Sequence, residues 1–206
     1  FGGRDGDRVD GRYAQPAPTH PGDAAKLYAG CSGCKCGAPE HLSCMQFIGE
    51  WASANQKRFV VFEPQVLAVF WKYRQRFFWQ QEGGGILLGR RRGRHLEVLT
   101  ATEPSSQDKR SAYFFVREVE GHAEVAEQAW MSGGHQVDYL GEWHTHPQTT
   151  PIPSGIDRAE WRKLVQQHPQ KTTMLTVVVG TKELRVELGD RVGYEVLESI
   201  PLTAER

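Results

Sequence analysis

The sequence predicts an α/β (α+β) fold with a central mixed β-sheet flanked by helices. Segments with helical and strand-like apolar spacing alternate from about residue 59 to residue 199. The chain has 206 residues, enough for one domain of ordinary size and an appendage. No internal repeat is found. These observations favour a single α/β or α+β domain with an attached N-terminal element.

The first part of the domain is predicted to hold one helix between strands. Residues 59–62, FVVF, form a short strand-like start, and Pro64 then stands at a plausible first helical turn. Apolar residues follow at helical spacing, which predicts a helix at about 64–78. GILLG and RHLEVLTA have the pattern of two strands, and Gly93 can adopt a positive φ in the turn between them.

The second part is predicted to alternate in the same way. The polar stretch 104–118 is interpreted as an insertion. VEGHAEVAEQAWMSGG indicates a helix that ends at its glycines. Residues 137–146 have the alternation of a strand, and residues 154–169 have the pattern of another helix. TMLTVVV, KELRVEL and YEVLES then predict three closing strands.

Residues 1–56 are interpreted as a tail or a small attached element, and residues 57–206 as the main domain. The first segment is punctuated by glycine and proline and has little apolar periodicity. It begins FGGRDGDRVDGR, without a methionine or an apolar stretch, so no secretory signal is expected there. A fragment, a processed product and a fusion all fit this beginning.

All four cysteines lie within residues 31–44. This distribution is not typical of a secreted disulfide framework, so we expect a reducing, cytoplasmic environment. The cluster offers enough thiol and imidazole groups for a structural zinc site. Its spacing matches no standard zinc finger well, which leaves a metal-free segment as the alternative. The possible ligands are Cys31, Cys34, Cys36, His41 and Cys44.

The charge balance argues against two classes of partner. The chain has 25 basic and 25 acidic residues and a formal net charge of +0. Such a balance does not favour sequence-independent binding of nucleic acid or anionic membranes. The longest strongly apolar run, MLTVVV, is far shorter than the roughly 20 residues that cross a bilayer. The basic run RRRGRH at 90–95 is interpreted as a solvated turn, with a patch for an acidic partner as the alternative.

The stretch HTHPQTTPIPSGID, residues 144–157, combines the residue types of a metal site. Alternate side chains of a strand share a face, so His144 and His146 can reach one ion. Neutral imidazole suits zinc, and Asp157 is the nearest carboxylate after the turn that can complete three protein ligands beside one water. Three prolines stiffen the connection and reduce the entropy lost when it closes.

Hydrolysis at such a site needs two further groups. Water bound to the ion has a pKa near ~7 and needs a base to take its proton. Glu82, beside GGGILLG, is a candidate for that base. Ser154 can donate an O–H to the oxyanion that forms when a carbonyl is attacked. Ser154 and Asp157 also fit a helix-capping box, and the two histidines alone would fit surface residues at a strand end.

Together these residues resemble the signature of the JAMM (MPN-plus) metallopeptidases. That signature is H-x-H-P, six residues and S-x-x-D, with a glutamate beside a glycine-rich strand far upstream. Here it is filled by HTHP from residue 144, SGID from residue 154 and EGGGILLG from residue 82. The resemblance covers about residues 59–200 and implies a JAMM/MPN-like, cytidine-deaminase-like sheet with flanking helices.

The resemblance implies a role for each residue of the signature. His144, His146 and Asp157 would bind Zn²⁺, Glu82 would activate the water, and Ser154 would stabilise the tetrahedral intermediate. Enzymes of this family cleave isopeptide or peptide bonds after the C-terminal glycine of ubiquitin-like proteins. The implied partner is therefore a ubiquitin-like protein or the C-terminal tail of a conjugated target.

The motif context and the small size are most similar to the bacterial branch of the family. That branch includes the deconjugating peptidase of CBASS anti-phage operons and the peptidases of bacterial ubiquitin-like operons, which the motifs do not separate. A non-catalytic MPN-type scaffold and a peptidase of sulfur-carrier-like precursors are alternatives, although no metal ligand is lost here. FGG at residues 1–3 is similar to the end of a ubiquitin-like tail, so processing of a fused module is a further hypothesis.

Overall fold

The structure is a computed structural model that describes residues 47–167 and 173–200. The cysteine cluster and the FGG segment lie outside these residues. Within them the chain forms ten strands and three helices. In chain order these are β1 (Glu50–Ser53), β2 (Phe59–Phe62), α1 (Pro64–Tyr73), β3 (Gly84–Arg92), β4 (His95–Ala101), β5 (Lys109–Arg110), β6 (Phe115–Val116), α2 (His122–Ser132), β7 (Asp138–Thr145), α3 (Gly155–Gln167), β8 (Met174–Val179), β9 (Leu184–Gly189) and β10 (Tyr194–Ser199).

Eight of these strands form one mixed sheet that closes on itself, in the order β1-β10-β9-β8-β7-β3-β4-β2. The pairs β2–β4 and β7–β8 are parallel, and the other barrel pairs are antiparallel. Strands β5 and β6 pair with each other as a separate hairpin inside the predicted insertion 104–118. The sequence predicted the mixed sheet and its helices, but it did not predict that the sheet is closed.

Closure of the barrel depends on β1. Trp51 pairs with Val60 of β2 on one side and with Ser199 of β10 on the other. Phe47, which precedes the strand, is 5% exposed and packs in the same core. The barrel therefore begins before residue 57, where the sequence placed the start of the domain. A four-residue strand, EWAS, is too short for its periodicity to be recognised.

The core occupies both faces of β3. Leu87 packs in the large cluster that also holds Phe70 of α1 and Val177 of β8. Ile86 and Leu88 face the opposite way, into a smaller cluster beneath α2. Because neighbouring side chains of a strand alternate in direction, a strand covered on both faces is a continuous apolar run. This arrangement accounts for the sequence GILLG.

Helix α1 begins at Pro64, as predicted, but it ends at Tyr73 instead of residue 78. Gln75 leaves the helix, is 0% exposed, and donates through Nε2 to the carbonyl of Gln80. The aromatic residues 77–79, which extended the helical pattern in the sequence, are exposed instead. The chain after Tyr73 thus leaves the helical path, and the buried Gln75 amide is hydrogen-bonded there.

The remaining elements lie close to their predicted positions. Helix α2 ends at Ser132, immediately before the two glycines, and Gly93 has a φ of 63° in the turn between β3 and β4. Helix α3 is the crossover that connects the parallel strands β7 and β8. In the described part of the chain, no helix has the length and apolar character needed to span a membrane.

Candidate active site

His144, His146 and Asp157 converge where β7 ends and α3 begins. His144 Nε2 lies 3.2 Å from His146 Nε2 and 3.3 Å from Asp157 Oδ1. His146 Nε2 lies 3.5 Å from Asp157 Oδ2. The three side chains are 12–16% exposed, so they are largely enclosed and still open to solvent. The structure thus brings together the three side chains that the sequence singled out as ligands.

The separations between these atoms fit one tetrahedral cation. Nitrogen and oxygen ligands lie about 2.0–2.1 Å from zinc, which places them about 3.3–3.4 Å from one another in a tetrahedron. Two imidazoles and one carboxylate form a donor set that zinc uses when its fourth position is left to water. Two facing ring nitrogens also need a proton or a cation between them. These three side chains fit a zinc ion, and their ligand atoms all lie within 4.8 Å of one another.

The protonation states of two of the ligands suit metal binding. Burial opposes the charged form of Asp157. Hydrogen bonds from His144 and Ser154, together with the charge of His144, outweigh burial and hold the pKa of the carboxyl well below its usual range. Burial, together with the charge of His144, lowers the pKa of His146. At neutral pH Asp157 is therefore ionised and His146 neutral, which is the state in which each donates to a cation.

The first turn of α3 fixes the position of Asp157. The Ser154 N–H donates to Asp157 Oδ2 at 2.5 Å, and the Asp157 N–H donates to Ser154 Oγ at 3.2 Å. These reciprocal hydrogen bonds form the capping box that the sequence allowed. Ser154 Oγ accepts in this pair, so its own O–H remains able to donate. Capping and donation to an oxyanion are therefore compatible roles for this hydroxyl.

A buried ion pair holds the same turn against the barrel. Arg158, which directly follows Asp157, forms a bidentate pair with Glu187 of β9, with Nη2 and Oε1 2.8 Å apart. Arg185 Nε also donates to Oε1 of Glu187 at 2.7 Å. Burial disfavours the charged form of Glu187, but the two guanidinium groups outweigh it and lower its pKa. Glu187 is 0% exposed, so its charge depends on these two partners.

Substitution of Arg158 by Met is expected to lower the free energy of unfolding by about 2–4 kcal/mol, because one partner of a buried ion pair is removed. Asp157 also loses its fixed position, so we expect zinc to bind about 10-fold more weakly. Urea denaturation of the zinc-free protein and a zinc titration measure the two effects. Arg162→Met, at an exposed position of the same helix, is the control. Equal effects of both substitutions would contradict the role of Arg158.

Glu82 lies just before β3 and is 8% exposed. Burial raises the pKa of its carboxyl to about 7; the charge of His144 acts against this shift and that of Asp157 adds to it. Its backbone is held by the β5–β6 hairpin, because the Glu82 N–H donates to the Ser111 carbonyl at 2.7 Å and Arg110 Nε donates to the Glu82 carbonyl at 2.6 Å. The predicted insertion therefore fixes the backbone of the candidate base.

A chain of buried hydrogen bonds ties Glu82 to the strand that carries the histidines. Gly83 N–H donates to Thr145 Oγ1 at 2.9 Å, and the Thr145 N–H donates to the Gly83 carbonyl at 2.9 Å. The Thr145 hydroxyl donates in turn to Gln75 Oε1 at 3.1 Å. Thr145 is 0% exposed and lies between His144 and His146, on the opposite face of β7. These bonds fix the register between the base and two of the ligands.

Glycine at position 84 is required by close packing beside the site. Gly84 pairs with His144 across the β3–β7 ladder. A Cβ at position 84 would lie 2.5 Å from the ring of Phe115 and 2.8 Å from the Trp143 carbonyl. The hairpin residue Phe115 therefore covers the strand next to a predicted ligand. The absence of a side chain at Gly84 allows this close approach.

Several residues that shape the site were not found from the sequence. Thr145 was visible only as the residue between two histidines, and period-2 alternation indicated merely that it faces the other way. Gln75, Arg110 and Glu187 gave no signal, because their partners lie far away in the chain. Arg158 follows the last residue of the motif, but nothing in the sequence identified its partner.

Comparisons with known proteins indicate the family and the fold of the chain. Residues 64–189 match the family described as prokaryotic homologs of the JAB domain. A solution structure of a protein from Desulfitobacterium hafniense has a similar fold, with a TM-score of 0.50 and 20% identity, covering 71% of this chain and 94% of that one.

Three curated proteins named CD-NTase/cGAS isopeptidase are similar to this chain over most of their length. The protein from Pseudomonas aeruginosa is 38% identical over 144 residues, which is 70% of this chain and 91% of that protein. The protein from Vibrio cholerae is 36% identical over 141 residues, 68% of this chain and 88% of that protein. The protein from Escherichia coli is 34% identical over 126 residues, 61% of this chain and 78% of that protein.

Proposed function

The chain belongs to the prokaryotic homologs of the JAB domain, and on that premise we propose that it is a zinc-dependent isopeptidase. Its substrate is a ubiquitin-like protein, or a protein conjugated by a similar pathway, cleaved after the C-terminal glycine. The observation that carries the proposal is the convergence of His144, His146 and Asp157. The name of the relatives, CD-NTase/cGAS isopeptidase, supports deconjugation of a CD-NTase in particular. A role in anti-phage defence is part of the proposal, because the resemblance to the CBASS peptidases implies it.

The residues of the chain supply the proton transfers that hydrolysis of an amide needs. Zinc bound by the three ligands would polarise the scissile carbonyl and lower the pKa of water toward ~7. The Glu82 carboxylate accepts the proton of the attacking water and passes it to the amine that leaves. The Ser154 O–H donates to the oxygen of the carbonyl as negative charge develops there.

The environment of Glu82 suits this shuttling role. A base is most effective when its pKa lies near the working pH, because it is then ionised and its conjugate acid can still return the proton. Burial raises the pKa of Glu82 to about 7 in the zinc-free protein, and the charge of a bound cation would lower it from that value. An exposed glutamate, with a pKa near 4.3, would be a weaker base toward the attacking water.

The β5–β6 hairpin is the candidate clamp for the substrate tail. In the described part of the chain its two strands pair only with each other, so an outer edge is available to an extended peptide. Main-chain hydrogen bonds along that edge would supply affinity, and glycines at the end of the tail would permit close approach to the site. The hairpin also holds the Glu82 backbone, so a tail bound along the hairpin would lie beside the base.

The zinc-loaded protein is expected to cleave a lysine-linked conjugate of a CD-NTase immediately after its C-terminal glycine. A strong chelator should lower the rate at least about 100-fold, and one equivalent of zinc should restore it, because the ion supplies charge stabilisation that no side chain replaces. Intact-mass spectrometry of the products identifies the bond. Binding without cleavage would indicate a scaffold, and cleavage of a cysteine adduct alone would indicate a sulfur-carrier peptidase; either result contradicts the proposal.

A further inference from the structure

We propose that this site selects substrates in which the segment before the scissile glycine is uncharged and apolar, through a rim of exposed side chains around the catalytic residues. The rim is formed by residues 77–81, 111–116 and 147–156. The inference rests on the proposed function and specifies the chemistry of its substrate.

The three rim segments lack charge altogether. Although 24% of the chain is charged, no Asp, Glu, Lys or Arg occurs in residues 77–81, 111–116 or 147–156. Their apolar side chains are exposed rather than buried, with Trp79 at 63%, Tyr113 at 83% and Ile156 at 75%. The other exposed apolar residues of the rim are Phe77, Phe78, Phe114, Val116 and Ile152.

Each rim segment adjoins a catalytic residue. Residues 77–81 lead directly into Glu82, and residue 111 accepts the hydrogen bond of the Glu82 N–H. Gln75 Nε2 reaches the carbonyls of both Gln80 and Ala112, at 2.9 and 3.4 Å, so the first two segments lie side by side. Ile152 and Ile156 flank Ser154 in the third segment. Each rim segment is therefore joined, through the chain or through a hydrogen bond, to a residue of the site.

The aromatic part of the rim is already ordered. The rings of Phe77 and Trp79 stack with centroids 4.7 Å apart, and Phe78 contacts Trp79 edge-on at 5.0 Å. A cluster of large apolar side chains is unfavourable in water when it is exposed, and such clusters are typical of binding sites. Aromatic residues supply most of the binding energy at such surfaces, and a preformed cluster reduces the entropy lost on binding.

The absence of charge determines which peptide fits. A Lys or Glu placed against the aromatic side chains of the rim would lose part of its hydration. Two of the charged residues that flank the rim are already engaged, Arg110 by the Glu82 carbonyl and Arg117 by Glu142. An apolar side chain gains from the same burial. A tail rich in Leu, Ile or Phe is therefore expected to bind, and a tail that alternates Lys and Glu to be rejected.

Two synthetic lysine isopeptides test the inference. They share the scissile glycines and differ only in the residues before them, which are Leu, Ile and Phe in one and Lys and Glu in the other. The zinc-loaded protein should cleave the apolar isopeptide with a kcat/KM about 10-fold higher or more. Trp79→Ser and Tyr113→Ser should each lower that kcat/KM about 5- to 20-fold, mainly by raising KM, and should lower the kcat/KM of the charged isopeptide less.

Binding provides a readout that does not depend on turnover. The Glu82→Gln protein should bind the apolar isopeptide more tightly than the charged one, as measured by fluorescence anisotropy. Adding Trp79→Ser to this protein should remove the difference in affinity. Trp130→Ser is the control, because Trp130 is a tryptophan of α2 that is also exposed, at 45%. Equal kcat/KM values for the two isopeptides, or an equal loss of affinity with Trp130→Ser, would contradict the proposed role of the rim. Failure of the wild-type protein to cleave any lysine conjugate would instead overturn the proposed function.

Discussion

Substitution of Glu82 by Gln is expected to lower turnover of a conjugate about 10²–10⁴-fold, while zinc binding and the fold are retained. Gln has nearly the shape of Glu but cannot accept the proton of the attacking water. Glu82 is not among the grouped ligand atoms, so zinc affinity should stay within about two-fold of the wild-type value. Steady-state kinetics and zinc content after dialysis measure the two quantities.

The same substitution is expected to stabilise the zinc-free protein at neutral pH. Burial raises the folded-state pKa of Glu82 to about 7, above the value of ~4.3 in an unfolded chain. The folded state therefore binds more protons between these values, and stability falls as the pH rises from about 4 to 7. Glu82→Gln removes this loss, so we expect a gain of about 1–3 kcal/mol at pH 8 and almost none at pH 4.

Thermal and urea denaturation at the two pH values measure this gain. Glu127→Gln, at an exposed position of α2, is the matched control and should change neither stability nor turnover. A catalytic carboxylate that is held in an unfavourable buried environment is expected to give an inactive but more stable protein when it is replaced. Full turnover by Glu82→Gln would show that another group takes the proton, and the assignment of the base would then be wrong.

Substitution of Asp157 by Asn is expected to weaken zinc binding at least about 100-fold and to abolish turnover at ordinary zinc concentrations. The neutral amide carries no negative charge and is a weak ligand. The cation is then held by the two imidazoles instead of by three protein ligands. The fold should survive, because an amide oxygen can still accept the Ser154 N–H and cap α3.

Ser154→Ala is the complementary variant. It removes the Oγ that accepts the Asp157 N–H, so it should cost about 1 kcal/mol of stability and leave zinc binding nearly unchanged. If Ser154 also donates to the oxyanion, kcat should fall about 10²–10³-fold. Isothermal titration with zinc separates the two variants. Equal zinc affinity of Asp157→Asn and the wild-type protein would exclude Asp157 from the ligand set.

The predictions from sequence were most accurate where a local pattern specifies geometry. Two histidines one residue apart on a strand must share a face, and S-x-x-D at the start of a helix forms a capping box; both are found. Proline at the start of α1 and glycines after α2 likewise mark the ends of helices. Each of these features depends on residues a few positions apart.

Features that join distant parts of the chain were less predictable. The sheet was expected to be mixed, but closure depends on β1, a four-residue strand assigned to the N-terminal element. Helix α1 was extended to 78, because nothing local indicates that Gln75 finds a buried partner in Thr145. The pair Arg158–Glu187 joins α3 to β9, between residues 29 positions apart in the chain.

The sequence by itself therefore determined the chemistry available, namely two imidazoles and a carboxylate at a spacing that zinc can use. Only the tertiary structure decided where the candidate base, Glu82, lies. Gly83 and Thr145 are 62 residues apart in the chain, and their hydrogen bonds bring Glu82 to the strand of the histidines. Strand register and buried polar contacts set such distances, and these are properties of the whole packed barrel rather than of any one segment.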